Sequence, residues 1–192
     1  MTLRIIPLAP DCRDELIGFF QSAFSDKPEW AGCFCMFPYI HHGTQDWEAR
    51  PAEQNKADAS ERIRQGRMKG HVAFEDGRLV GWVNAGPKGM YRSLLEEPDP
   101  HGDHDLTGRI YCFLEDPEER GQGIARALLE AACEGLKEQG MAVAEANPRP
   151  GTDDPGANHR GPLSLYLAAG FTIDREDESD GTVFVRKSLV SL

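Results

Sequence analysis

The most informative segment of the sequence is Arg109–Gly140, which reads RIYCFLEDPEERGQGIARALLEAACEGLKEQG. Its first seven residues, Arg109–Glu115, are mostly apolar and predict a strand that is buried on both faces. After a charged stretch and two glycines, Ile124 begins a run of apolar residues at helical spacing. The segment therefore predicts a strand, a loop and a helix that ends at Gly140, because glycine commonly follows a helix C-terminus.

Gly121 and Gly123 lie where the predicted strand gives way to the helix. Such a junction brings backbone N–H groups and the positive end of a helix to one spot, which suits a phosphate or pyrophosphate. A Walker loop is poorly supported, because Ile124 and Ala125 stand where that motif has lysine and Ser/Thr. A dinucleotide fold is disfavoured as well, because Arg126 occupies the position of the fingerprint's third glycine.

The N-terminal half predicts a strand, two helices and a hairpin. The first helix has apolar residues on one face, and the second is more polar. Asp76-Gly77 separates two β-rich runs and favours a tight hairpin turn. The predicted elements are a strand at 2–7, helices at 11–24 and 57–65, and hairpin strands at 71–75 and 78–85.

The remainder of the chain alternates strands and helices around two irregular connections. Residues 86–108 and 147–162 are rich in glycine, proline and acidic residues and predict loops. The predicted elements are strands at 141–146, 171–175 and 182–188, with a turn at Asp180-Gly181, and a short helix at 163–169. These patterns predict one α/β domain with a mixed sheet, spanning 1–192.

The composition excludes several classes of protein. With 21 basic and 32 acidic residues among 192, the formal net charge is −11, so nucleic acid is not expected as a partner. No apolar run approaches the roughly 18 residues of a membrane span, and a membrane partner is not expected. The N-terminus lacks the features of a secretory signal and the five cysteines lack a disulfide pattern. A cytoplasmic protein with reduced thiols is the expectation.

The glycine segment Arg120–Ala125, RGQGIA, resembles the acyl-CoA pyrophosphate loop of the GNAT superfamily of N-acetyltransferases, whose pattern is Gln/Arg-x-x-Gly-x-Gly/Ala. The order of predicted elements is similar along most of the chain, and Leu163–Phe171, LSLYLAAGF, is similar to the family's final helix. Trp30–Phe37 and Gly81–Pro87, WAGCFCMF and GWVNAGP, resemble a subgroup of its members. The resemblance implies a mixed, mostly antiparallel twisted sheet, splayed at the central strand and flanked by helices.

The resemblance also implies a function. Acetyl-CoA would be the co-substrate, and its acetyl group would pass directly to a primary amine of a small molecule or a protein. The pantetheine arm would pair with the exposed edge of the central strand, and the pyrophosphate would bind the glycine loop. A homodimer is compatible with this reading. The implied cofactor contacts are Cys112, Phe113, Leu114, Glu115, Arg120, Gly121, Gln122, Gly123, Ile124, Ala125, Asn147 and Tyr166.

Three residues are candidates for the chemistry. Tyr166 matches the tyrosine that many members use as the acid for the departing thiolate; the alternative is an aromatic residue that only packs in the core. Glu115 and Glu145 lie at strand ends and are candidates for the base that deprotonates the amine. The alternatives for both are a solvated strand terminus or a base that acts through water.

Two functions from other classes stay open. One is a CoA-binding module without catalysis. The other is a metal-binding protein that uses Cys33, Cys35, His41 and His42. The spacing of those four residues is not that of a usual zinc site, so no metal is expected. We expect the aromatic segment around the cysteines to line the acceptor pocket instead.

Overall fold

The computed structural model describes residues 2–23, 31–148, 150, 157–177 and 181–190. Its strands are β1 (Leu3–Pro7), β2 (Gly70–Glu75), β3 (Arg78–Pro87), β4 (Thr107–Glu115), β5 (Val143–Ala146), β6 (Thr172–Asp177) and β7 (Thr182–Ser188). Its α-helices are α1 (Arg13–Ser22), α2 (Ala52–Arg64), α3 (Ile124–Glu138) and α4 (Leu163–Ala168). No helix in these ranges combines the length and the apolar character needed to cross a bilayer.

All seven strands join one sheet in the order β1-β2-β3-β4-β5-β7-β6. Within the described residues β4 and β5 pair in parallel and every other neighbouring pair is antiparallel. The mixed, mostly antiparallel sheet is therefore confirmed. The hairpin between β2 and β3 turns at Asp76 and Gly77, whose φ angles of 48° and 89° are the left-handed values that the dipeptide predicts.

The central strand β4 separates from β5 after a short stretch of pairing. Residues 107–109 pair with β5, but no described strand pairs with this edge of β4 from there to Glu115. On the other edge, the register with β3 shifts between Asn84 and Ala85, which leaves Tyr111 as the extra residue of a β-bulge. The predicted splay at the central strand is confirmed.

The sheet divides the interior into two hydrophobic cores. One core lies under α1 and α2 and contains Phe20, Ile63 and Trp82. The other lies under α3 and α4 and contains Val83 and Leu128. Adjacent residues of β3 contribute to different cores, because successive side chains of a strand point to opposite faces.

Some element boundaries differ from the predictions. α2 begins at Ala52, five residues before its predicted start, because its first turns bury a polar side chain, Asn55, instead of an apolar stripe. The first helix begins as a 3-10 turn at Pro10–Cys12 and continues as α1. Parts of three predicted features lie outside the described residues: Phe24 of the first helix, 149 and 151–156 of the second loop, and Asp180 of the last turn.

Candidate active site

The glycine loop leads directly into the N-terminus of α3. Gly121 and Gly123 have φ angles of 80° and 86°, where a side chain is strained, although a Cβ at either position would meet no atom within 4 Å. Glycine is therefore favoured at both positions by the positive φ angle of the backbone, and not by a lack of space for a side chain. The first N–H groups of a helix have no partner within it, so this end of α3 offers donors to an anion.

Glu115, the last residue of β4, already uses one of these donors. Its Oε1 accepts a hydrogen bond from the backbone N–H of Ala125 at 2.6 Å. Burial raises the pKa of Glu115, against the lowering effect of Ala125 and Arg120. The carboxylate thus occupies part of the loop that the resemblance assigns to a pyrophosphate.

Two arginines near this loop differ in whether they form ion pairs. Arg78 forms ion pairs with Asp116 and Glu119. Arg120 is exposed and forms no ion pair with a described residue. Arg120 is therefore the cation of the loop that is available to an incoming anion.

The open edge of β4 lies beside the loop and consists of the backbone of Cys112, Phe113 and Leu114. The same three residues line a cavity of about 650 Å³. Cys33 and Cys35 line the same cavity, so part of the aromatic segment lies in a cavity wall. That this cavity takes the acceptor stays a prediction. The cavity therefore meets the strand edge that the resemblance assigns to pantetheine.

Tyr166 is completely buried in α4. Its ring packs edge-on against Phe113 and Phe171, with centroids 6.4 and 5.2 Å away. Its hydroxyl donates a hydrogen bond to the carbonyl oxygen of Arg160 at 2.6 Å, and burial raises its pKa well above the ordinary value. The side chain both fills the core and reaches the segment that borders the cavity, since Arg160 is a lining residue.

Glu145 has a different environment, because its side chain is 1% exposed and surrounded by cations. Its oxygens lie 3.0 Å from Lys88, 3.3 Å from Arg109, 3.5 Å from Arg175 and 3.7 Å from Arg186. Burial alone raises the pKa of Glu145, but Arg109 and Lys88 outweigh it and hold the pKa below the ordinary value. Glu145 does not line the cavity, so this placement favours a role in joining β5 to its neighbours.

Asn147 follows β5 directly and is half-buried. The next residue, Pro148, accepts a hydrogen bond from the backbone N–H of Val183 at 3.1 Å. Asn147 thus lies at the end of β5, on the side of the sheet where β4 and β5 have diverged.

Several cavity residues were not predicted. Glu48 is exposed and is the only carboxylate among the described residues that line the cavity. Arg50, whose side chain is 9% exposed, donates to Asn55 at 2.5 Å and pairs with Asp58. His159 lines the same cavity. No periodicity marks these residues, because they lie in polar stretches outside the strands and long helices.

The candidate metal ligands do not converge. His42 Nε2 lies 3.1 Å from the carbonyl oxygen of Phe37, and His41 Nε2 lies 3.7 Å from Glu96. Cys35 instead contacts Cys112. Across the described ranges, no group of three or more His, Cys, Asp or Glu side chains is arranged to hold a metal ion.

Comparisons with known proteins give one family match and many structures of similar fold. The sequence model of the Acetyltransferase (GNAT) family matches residues 12–153. No curated protein gives a significant match to the sequence.

Solved structures share the fold at low sequence identity. yncA of Salmonella typhimurium, whose structure includes its cofactor acetyl-CoA, has a TM-score of 0.60 and 15% identity, over 100% of this chain and 96% of its own. The PaiA N-acetyltransferase of Thermoplasma acidophilum in complex with coenzyme A has a TM-score of 0.57 and 16% identity, over 98% and 99%. The GNAT domain of S. lividans PAT has a TM-score of 0.61 and 20% identity, over 98% and 91%.

Proposed function

Because the chain belongs to the Acetyltransferase (GNAT) family, we propose that it transfers an acetyl group from acetyl-CoA to a primary amine. The observation that carries this proposal is the open edge of β4 next to the N-terminus of α3. The amine belongs to a small molecule or a protein and attacks directly within a ternary complex. Residues 1–192 form one catalytic domain in this proposal, and the domain acts in the cytoplasm.

The pantetheine arm of acetyl-CoA pairs with the backbone of Cys112, Phe113 and Leu114. An extended amide chain can add to an unpaired strand edge as an extra strand would. The bulge at Tyr111 and the divergence of β5 support this assignment, since together they leave the edge open. The similar fold of yncA, which has acetyl-CoA as its cofactor, supports it as well.

The pyrophosphate binds the loop from Arg120 to Ala125. Backbone donors at the start of α3 and the unpaired guanidinium of Arg120 suit two adjacent phosphates. Glu115 competes with the phosphates for the N–H of Ala125, so its carboxylate moves away or becomes protonated when acetyl-CoA binds. Burial, which raises the pKa of Glu115, makes protonation easier.

The acceptor enters the cavity that borders the β4 edge. A volume of about 650 Å³ admits a small amine or the end of a protein side chain. The net charge of −11 favours a cationic acceptor. Glu48 is the base that we favour, because it lines the cavity, whereas Glu115 faces the loop and Glu145 is enclosed by cations.

The reaction transfers protons at two points. The base removes a proton from the ammonium group, and the neutral nitrogen attacks the thioester carbonyl carbon. A backbone N–H of the β4 edge stabilises the negative charge that develops on the carbonyl oxygen. The C–N bond forms, the C–S bond breaks, the nitrogen loses its second proton and the thiolate gains one. Tyr166, kept protonated by its raised pKa, turns its hydroxyl from the carbonyl oxygen of Arg160 and donates a hydrogen bond to that thiolate.

Thermal melting with saturating acetyl-CoA, followed by an amine screen for thiol release, tests the proposal. A ligand at about 100 times its Kd adds about 2.7 kcal/mol, which at ~2–4 °C per kcal/mol raises Tm by roughly 5–10 °C. We expect that shift with acetyl-CoA, and release of CoA thiol with at least one amine. A Tm unaffected by acetyl-CoA and by CoA would overturn the proposal. A shift without thiol release from a broad set of amines would identify a CoA-binding module instead.

A further inference from the structure

Cys35 and Cys112 bring their sulfur atoms to 3.1 Å from each other in the wall of the cavity. Both are free thiols. Cys35 precedes α2, and Cys112 follows the bulge of β4. The proposed acetyl transfer uses the backbone of Cys112 and neither sulfur atom.

The sulfur of Cys35 accepts further hydrogen bonds. Asn84 donates through Nδ2 at 3.1 Å, and Trp82 donates through Nε1 at 3.4 Å. The hydroxyls of Tyr39 and Tyr91 donate to Oδ1 of Asn84 at 3.3 and 2.7 Å, which turns the N–H groups of its amide toward Cys35. Donors that converge on one sulfur stabilise its thiolate form.

The two thiols consequently differ in protonation. Burial alone raises the pKa of Cys35, but hydrogen bonds from Cys112, Asn84 and Trp82 hold it below the ordinary value. The hydrogen bond to Cys35, followed by burial, raises the pKa of Cys112 well above the ordinary value. Cys33, which lines the same cavity without these donors, has a pKa raised by burial to about 11.

The arrangement matches what a dithiol redox centre requires. A thiolate reacts with an oxidant, and a second thiol in contact with it then closes a disulfide. The sulfurs have to approach by only about 1 Å to reach a bond length near 2.0 Å. Cys35 is buried but lines the cavity beside the partly exposed Cys112, so the cavity is the route by which a small oxidant reaches it.

We propose that Cys35 and Cys112 form a redox-active dithiol whose oxidising substrate is a hydroperoxide, with Cys35 as the attacking residue. The Cys35 sulfur forms an S–O bond as the O–O bond of hydrogen peroxide breaks, and the departing hydroxide takes a proton to become water. The Cys112 sulfur then attacks the Cys35 sulfenic acid, an S–S bond forms, and the hydroxyl leaves with the Cys112 proton as a second water. Two thiols are oxidised to one disulfide and one peroxide is reduced.

Treatment of the fully reduced protein with one equivalent of hydrogen peroxide tests this proposal without acetyl-CoA, so its outcome is independent of the proposed acetyl transfer. We expect the number of thiols titrated after denaturation to fall from five to three. Peptide mapping should link the Cys35 and Cys112 peptides, and a reductant should restore all five thiols. A different linkage, or no loss of thiols, would overturn the proposal.

Single variants separate the roles of the two sulfurs. With Cys112→Ser, oxidation should stop at a Cys35 sulfenic acid that dimedone labels, and with Cys35→Ser no linkage should form. Cys33→Ser is the matched control, because Cys33 belongs to the same segment and lines the same cavity, and it should leave the linkage intact. Circular dichroism should first show that Cys112→Ser and Cys35→Ser are folded. Dimedone labelling of Cys33 in preference to Cys35 in the Cys112→Ser variant would then contradict the assigned roles.

Discussion

The carboxylate of Glu115 accepts a hydrogen bond from the backbone N–H of Ala125 at 2.6 Å, and so ties the end of β4 to the start of α3. A negative charge at a helix N-terminus stabilises the helix. In the proposed complex, however, the same donor serves the pyrophosphate of acetyl-CoA. The carboxylate of Glu115 therefore stabilises the start of α3 in the free protein and competes with acetyl-CoA for the same N–H group.

We predict that Glu115→Gln binds CoA more tightly than the unmodified protein. Removal of the charge ends the competition with phosphate, and a gain of about 1 kcal/mol corresponds to roughly 5-fold in Kd. The same change should alter the free energy of unfolding by less than about 1 kcal/mol, because α3 loses a favourable charge while the burial cost that raises the pKa of Glu115 is also removed. Isothermal titration with CoA and thermal melting measure the two effects.

Glu118→Gln removes the same charge from an exposed position nearby and is the control for Glu115→Gln. It should leave Kd for CoA nearly unchanged. Weaker CoA binding by Glu115→Gln than by Glu118→Gln would refute the competition between carboxylate and phosphate.

Arg120→Ala should weaken CoA binding by roughly 3- to 10-fold, because a charge-assisted contact to phosphate is lost. The loss should shrink at high salt, since the guanidinium is exposed. Arg126→Ala is the matched control: Arg126 is also exposed, but it pairs with Glu130 at 3.1 Å on the surface of α3. Equal effects of the two variants on Kd at low and high salt would show that Arg120 makes no specific contact.

Tyr166→Phe should lower kcat for acetyl transfer by about 100-fold, as expected for loss of a group that assists a proton transfer. It should also lower the free energy of unfolding by about 1 kcal/mol, because the carbonyl of Arg160 loses its donor. KM for acetyl-CoA should change little. Steady-state kinetics and urea unfolding provide these values.

Tyr111→Phe removes the hydroxyl of a tyrosine that lines the cavity; this hydroxyl contacts Ser93 at 3.4 Å. This control should keep kcat within about 3-fold, the spread expected when no reacting group is touched. If Tyr166→Phe also keeps kcat, Tyr166 only fills the core.

Much of the fold could be predicted because its signals are local. The apolar run of β4, the glycines after it and the spacing of α3 lie within Arg109–Gly140, and Asp76-Gly77 marks its own hairpin. The divergence of β4 from β5, which leaves one edge of β4 open, was predicted only through the resemblance. The divergence begins next to the bulge at Tyr111, and no single-residue preference specifies such a bulge.

The candidate site was less predictable, because its parts meet through tertiary packing. Cys35 and Cys112 are 77 positions apart in the sequence, yet their sulfurs touch. Glu48 lies in a polar stretch without periodicity, and it reaches the cavity beside Trp47, whose ring packs against Phe37 in the same cavity wall. In the sequence, Glu145 is an acidic residue at the end of a predicted strand. Its four cationic partners come from separate elements or turns, so the ion cluster could not be predicted from the sequence.

Glu48→Gln should lower kcat at neutral pH by about 100-fold if Glu48 accepts the proton of the ammonium group. The deficit should shrink as pH rises toward the pKa of the free amine, because less acceptor then needs deprotonation. A pH–rate profile with the best amine of the screen measures this. Glu53→Gln changes an exposed carboxylate in the first turn of α2, outside the cavity, and should match the unmodified protein. A flat ratio of kcat values across pH would exclude Glu48 as the base.

Glu145→Gln should destabilise the protein, because four cations would lose the most deeply buried anion that they share. Each cation keeps a second carboxylate partner, in Glu97, Asp174 or Asp103, so the loss falls at or below the usual cost of breaking a buried pair. Removal of one partner from a buried ion pair costs about 3–5 kcal/mol, which at ~2–4 °C per kcal/mol lowers Tm by roughly 6–20 °C. Glu130→Gln breaks a pair on the surface of α3 and should shift Tm by no more than about 2 °C. Similar shifts for both variants would contradict the structural role of Glu145.

The pH dependence of stability follows from the same carboxylate. Its folded-state pKa lies below the ordinary value, so the stability it contributes is fully present above a glutamate pKa of about 4.3 and is lost as pH falls through the lower folded value. The unmodified protein should therefore lose stability in that acidic range more steeply than Glu145→Gln, in urea unfolding at a series of pH values. If Glu145→Gln instead abolishes acetyl transfer below its own Tm while it remains folded, the carboxylate acts in the chemistry as well.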